Sequence, residues 1–244
     1  MTSNKQSVLV AIILFFSFGF LVLSARHIDN AVATSTRAGL EKVVVIDAGH
    51  GGMDSGCVGV NGVLEKDINL SITLMLRDML EASGFKVVLT RDADISIHDE
   101  DKGRTVSKKK SDMHNRLKIV NNNNPLIFVS IHQNQYTRPN SRGAQMFYSN
   151  SNERNAELAQ IIQDKFVEFL QPDNKRQIKP SENRLFLLEN STVPSVMVEC
   201  GFLSNVKEAG MLADEEYQKD VAFVVYCGML EFLTLSNANA DTNP

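Results

Sequence analysis

Cysteine is scarce. The chain of 244 residues has three, Cys57, Cys200 and Cys227, too few for a disulfide framework. Cys227 sits among apolar residues of an expected helix, and all three read as small filler side chains rather than as a pair or as ligands. The chain also lacks any stretch that repeats at a fixed period, which excludes solenoids and propellers. It lacks a basic excess: 25 Lys and Arg stand against 29 Asp and Glu, a net charge of −4. Nucleic acid is therefore excluded as the main partner, since phosphate binding needs a basic face. The single dense basic run, Lys108-Lys109-Lys110, reads as a solvated loop.

Charge is also missing from the amino terminus. Lys5 is the one charged side chain in positions 1–25, and Val8 to Leu23 carries none. This is the n-region and h-region of an export signal, slightly short of the roughly 20 apolar residues of a full span. Residues 1–25 are thus a signal peptide or an N-terminal membrane anchor, and polar residues 26–41 a linker. Residues 42–235 are expected to form one domain, with 236–244 as a flexible tail.

Within that domain Val43 to Ile46 is a β-branched run, as in a strand buried on both faces. Ile68, Ile72, Met75, Leu76, Met79 and Leu80 form a helical stripe from Glu65, closed by Gly84 in the C′ manner. A strand follows at Lys86 to Thr90, then a long polar loop at 92–111. Asp112 is expected to cap a helix through Val120, which the Asn121–Asn124 run breaks. Further strands are expected at Leu126 to Ile131, Gly143 to Tyr148, Leu185 to Leu188 and Ser195 to Val198. Helices are expected at Ala156 to Leu170 and Glu215 to Leu233. Alternating strands and helices predict an α/β fold, with a mainly parallel central sheet and helices on both faces.

In such sheets ligands bind beyond the carboxyl ends of the strands. His50, His132 and Glu199 occupy such ends, and Glu65 lies in the first turn of the helix after strand one. A carboxylate there is favoured by the helix dipole in any case. Two histidines and one carboxylate, with a fourth position for water, make a catalytic zinc set. A second carboxylate is then needed to carry the proton. Spacing alone does not say which of Glu65 and Glu199 does which. It does exclude the helical His-Glu-x-x-His arrangement. His27, His98 and His114 read as exposed or capping residues.

Five ordered segments carry a resemblance. They are Asp47-Ala48-Gly49-His50-Gly51-Gly52-Met53-Asp54-Ser55-Gly56, Glu65-Lys66, Leu89-Thr90-Arg91, Ser130-Ile131-His132-Gln133-Asn134 and Val198-Glu199-Cys200-Gly201-Phe202-Leu203-Ser204-Asn205. Together they resemble the signature of zinc-dependent N-acetylmuramoyl-L-alanine amidases of the type 3 class. The resemblance implies that His50, Glu65 and His132 bind Zn2+ and that Glu199 is catalytic. It implies hydrolysis of the amide between N-acetylmuramic acid and L-alanine in peptidoglycan.

The short build is similar to the germination-specific amidases of spore formers. That implies a role in forming the muramic lactam of the spore cortex, outside the cytoplasmic membrane and in the spore envelope. Lacking wall-binding repeats, the chain is expected to use an activating protein partner, contacted through loop 92–111. Cys57, Gln133 and the Asn121–Asn124 run depart from the usual family pattern. The inhibitory helix of some division amidases is not evident between His132 and the next strand. Two rival readings share the site: a zinc peptidase on wall peptides and a non-catalytic wall-binding module.

Overall fold

A run of three valines and an isoleucine opens the sheet. The structure, a computed structural model, describes residues 41–100, 103–182 and 184–241. Its elements in chain order are β1 (Val43–Ala48), α1 (Glu65–Ala82), β2 (Lys86–Leu89), α2 (Thr105–Asn123), β3 (Phe128–Asn134) and β4 (Gln145–Tyr148), then α3 (Asn155–Phe169), β5 (Lys179–Pro180), α4 (Phe186–Asn190), β6 (Ser195–Phe202), α5 (Val206–Leu212) and α6 (Glu215–Asp241). The sheet order is β2-β1-β3-β6-β4-β5. The first four of these strands are parallel, while β4 runs antiparallel to β6.

Side chains alternate across the sheet, and each face has its own helical cover. Val44, Ile46, Val129, Ile131, Val196 and Val198 pack beneath α1, α3 and α6. Val45 and Phe128 face the other way, against Val120 of α2 and Leu187 and Leu188 of α4. The expected helix-clad, mainly parallel sheet is what the chain forms.

Several local expectations are corrected. Leu185 to Leu188, read as a strand, leads into the short helix α4. Four apolar-rich residues have no period long enough to separate the two. α2 begins at Thr105 rather than at Asp112, and Asp112 is a buried interior residue bound to Arg116. A helix start with no side-chain cap gives no start signal. Asn121 to Asn123 continue the helix, and Asn124 ends it in the left-handed region at φ 41°. The Lys108–Lys110 run is therefore helical, not loop. α5 was not anticipated, although Asn205 caps it by accepting from the backbone N–H groups of Lys207 and Glu208.

α6 continues beyond Leu233 to Asp241. The export segment, His27 and nearly all of the linker lie outside the described residues. Among the described residues no helix is long and apolar enough to cross a membrane.

Candidate active site

The parallel register delivers two of the four singled-out residues side by side, since His132 at the end of β3 pairs with Glu199 of β6. His50 follows the last residue of β1 and Glu65 opens α1. All four line one cavity of about 400 Å³.

Glu65 is almost fully buried and sits between the imidazoles. Its Oε1 lies 3.2 Å from His50 Nε2 and 3.0 Å from His132 Nδ1. Oε1 also accepts from the backbone N–H of Gln133, and Oε2 from that of Cys57 at 2.7 Å. Burial opposes its ionisation, but bonds from His132 and His50 more than offset that and hold the carboxyl below its ordinary range. The two rings meet edge to face, 4.9 Å between centroids. Two glycines make room: a Cβ on Gly49 would stand 2.3 Å from the His132 ring, and one on Gly56 2.5 Å from Glu65 Oε2.

His50 is held from three sides. Its backbone is left-handed at φ 62°. Its Nδ1 lies 2.9 Å from Asp54 Oδ2, while Asp54 Oδ1 accepts from Lys109 Nζ at 2.7 Å. Its carbonyl accepts from Arg116 Nη2 at 2.6 Å. Burial disfavours protonation of the ring, yet the Glu65 and Asp54 carboxylates raise its pKa to about 9.

Beneath the loop, Arg116 also binds Asp47 and the Ala48 carbonyl, and Arg91 binds the carbonyls of Ala48, Gly49 and Lys66. Asp54 and Arg91 lie in segments that carry the resemblance but were given no individual role, Lys109 was read only as part of a solvated run, and Arg116 was not singled out. For Arg116 the visible signal was the Asp112…Arg116 spacing of four on a helix.

Donor atoms of His50, Glu65 and His132 all lie within 4.8 Å of one another, a set that can hold a metal ion. The residues fit such an ion in charge as well as in spacing, a buried carboxylate shared by two imidazoles. Glu199 differs. Its Oε2 is closed off from water without a hydrogen-bond partner. Burial pushes the carboxyl up to about 7, with His132 pulling it down and Glu65 pushing it up. It is thus poised to exchange a proton near neutral pH.

The remaining candidates fall away. All three cysteines are free. Burial pushes the Cys57 thiol up to about 12, and Cys200 is raised by burial as well. His114 is exposed and packs on Phe186. His98 is half-buried and bonds Ser96 rather than standing free.

The family profile described as N-acetylmuramoyl-L-alanine amidase matches residues 44–231. The germination-specific N-acetylmuramoyl-L-alanine amidase of Bacillus subtilis is 35% identical over 193 residues, 79% of this chain and 80% of the relative. Among solved structures, the CwlD amidase from Clostridioides difficile in complex with the GerS lipoprotein is similar at 40% identity and a TM-score of 0.77, covering 80% of this chain and all of that one. AmiC2 of Nostoc punctiforme, an N-acetylmuramoyl-L-alanine amidase, matches at 33% identity and a TM-score of 0.68, over 79% of this chain and 97% of its own.

Proposed function

The chain belongs to the N-acetylmuramoyl-L-alanine amidase family, and from that premise we propose that it cleaves the N-acetylmuramic acid–L-alanine amide of peptidoglycan with Zn2+ held by His50, Glu65 and His132. The observation that carries this reading is the Glu65 carboxylate shared between two imidazoles, one strand away from a carboxyl with an unpartnered buried oxygen. A zinc ion there would supply Lewis acidity, acidifying water and polarising a carbonyl.

The chain's own residues do the rest. Glu199 takes a proton from water as the oxygen adds to the lactyl carbonyl carbon. It then delivers that proton to the alanine nitrogen as the carbon–nitrogen bond breaks. Glu65 stays ionised, and Asp54 fixes the tautomer and the angle of His50.

The occasion for the reaction is proposed to be spore cortex maturation and germination. Similarity to the Bacillus subtilis germination-specific enzyme supports this, at 35% identity. The relative solved with the GerS lipoprotein supports an activating lipoprotein partner for this chain. With an N-terminal export segment, cleaved or retained as a tether, the enzyme would work outside the cytoplasmic membrane. Incubating the protein with peptidoglycan, with zinc and after chelation, followed by product mass analysis, tests the chemistry. Free stem peptides beginning with L-alanine, appearing only with zinc, are expected. Cuts inside the stem, or chelator-resistant release, would overturn it.

A further inference from the structure

Ahead of β4, where residues 140–143 meet residues 170–176 and α5, lies a basin of about 800 Å³ whose lining includes Arg142, Lys175, Arg176 and Lys207. Its acidic side chains are Asp173 and Glu208, a local excess of two positive charges on a chain whose net charge is −4. Glu208 is already engaged, accepting from the backbone N–H groups of Gly143 at 2.7 Å and Phe202 at 2.8 Å. Arg142, Lys175 and Lys207 are exposed and form no ion pair among the described residues.

Arg176 is fixed. Its guanidinium lies 4.4 Å from the centre of the Phe202 ring, its Nε donates to the Arg142 carbonyl and its Nη1 donates to Gln145 Oε1 at 2.8 Å. Its Nη2 has no hydrogen-bond partner among the described residues. Arg142 and Arg176 act on the Glu208 carboxylate, and with Lys175 and Lys207 they outnumber the basin's acids, so a pre-placed guanidinium among them is suited to a further carboxylate.

The register ties this basin to the chemistry. Glu199 pairs with His132 on one side and with Gln145 on the other, so His132, Glu199 and Gln145 form a row across three strands. Two strand spacings are roughly 10 Å. An extended peptide covers that in about three residues. A stem peptide whose first amide lies between His132 and Glu199, and which leaves along the row, brings its third residue to Arg176.

We propose that this basin is a subsite for the free carboxylates of the stem peptide, so that the enzyme prefers stems with those groups ionised. The inference rests on the amidase reading above. The test compares two synthetic muropeptides identical except that the stem carboxylates are free in one and amidated in the other, with product masses recorded. The zinc-loaded wild type is expected to favour the free form by about tenfold in kcat/KM, mostly through KM. In the quadruple variant Arg142→Gln, Lys175→Gln, Arg176→Gln, Lys207→Gln that ratio is expected to fall toward one. Cleavage of the predicted amide with no preference in the wild type, or a preference that survives in the quadruple variant, would reject the subsite alone. No release of L-alanine-headed stems by the wild type would reject the amidase reading, and the subsite with it. The wild-type comparison needs no variant to fold.

Discussion

Arg116 reaches from α2 to donate to Asp47 at 2.6 Å, and both side chains are almost fully withdrawn from water. The same guanidinium binds Asp112 at 2.6 Å and the carbonyls of Ala48 and His50. A buried pair of this kind gives little net stability, but breaking it leaves a stranded charge. Arg116→Met is therefore expected to destabilise the fold by about 3–5 kcal/mol. Urea denaturation measures this, and a change below about 1 kcal/mol would show that the network is dispensable.

The carboxyl of Asp47 gives that network a pH signature. Burial pushes its pKa up, but Arg116, His132, Ser130 and Thr90 together bring it down to about 2, from an ordinary 3.8. A carboxylate with a lowered folded pKa stabilises the fold above its unfolded pKa, and the benefit fades as pH falls toward the folded value. Asp47→Asn should cost on the order of 2 kcal/mol at pH 7, and the deficit should shrink between pH 4 and pH 2. A deficit that does not vary with pH would mean Asp47 acts by shape alone.

Zinc uptake should release protons. His50 ordinarily titrates near 6.5 and is raised to about 9 here, burial opposing and the Glu65 and Asp54 carboxylates prevailing. A protonated ring does not bind metal, so affinity should rise about tenfold per pH unit from pH 6 toward 9. Calorimetry in buffers of different ionisation enthalpy counts the protons. A value near zero at pH 7 would contradict the picture.

Lys109 holds Asp54 from α2, which makes it a positioning residue for His50. Lys109→Met is expected to weaken zinc binding by roughly two- to fivefold, with Lys109→Arg restoring part of it. Competition with a chromophoric chelator reads this directly. Unchanged affinity in the Met variant would reduce the contact to a surface ion pair.

Glu199→Gln should retain zinc and lose activity by about 10²–10⁴-fold. If the variant instead lost its zinc, Glu199 would belong among the ligands and the division of labour with Glu65 would be wrong.

Much of this arrangement was legible in the residues. The Val43–Ile46 run and the α1 stripe each have the right period over enough length, and sheet logic put His50, His132 and Glu199 at one edge. Segments too short or too polar for a period were not legible. Leu185–Leu188 is ambiguous over four residues, and α2 starts in a charged stretch at Thr105 with no side-chain cap. The supporting shell was hidden for another reason. Lys109 meets Asp54 across 55 positions and Arg116 meets Asp47 across 69, pairings that only the tertiary fold creates.

The left-handed backbone at His50 restricts how this position can drift. Besides glycine, the residues that tolerate such a conformation most readily are histidine, asparagine and aspartate. Asparagine or aspartate would keep the turn while removing the imidazole. His50→Asn is therefore expected to leave the fold intact while removing a proposed zinc ligand, so shape and metal binding should part company at this one position.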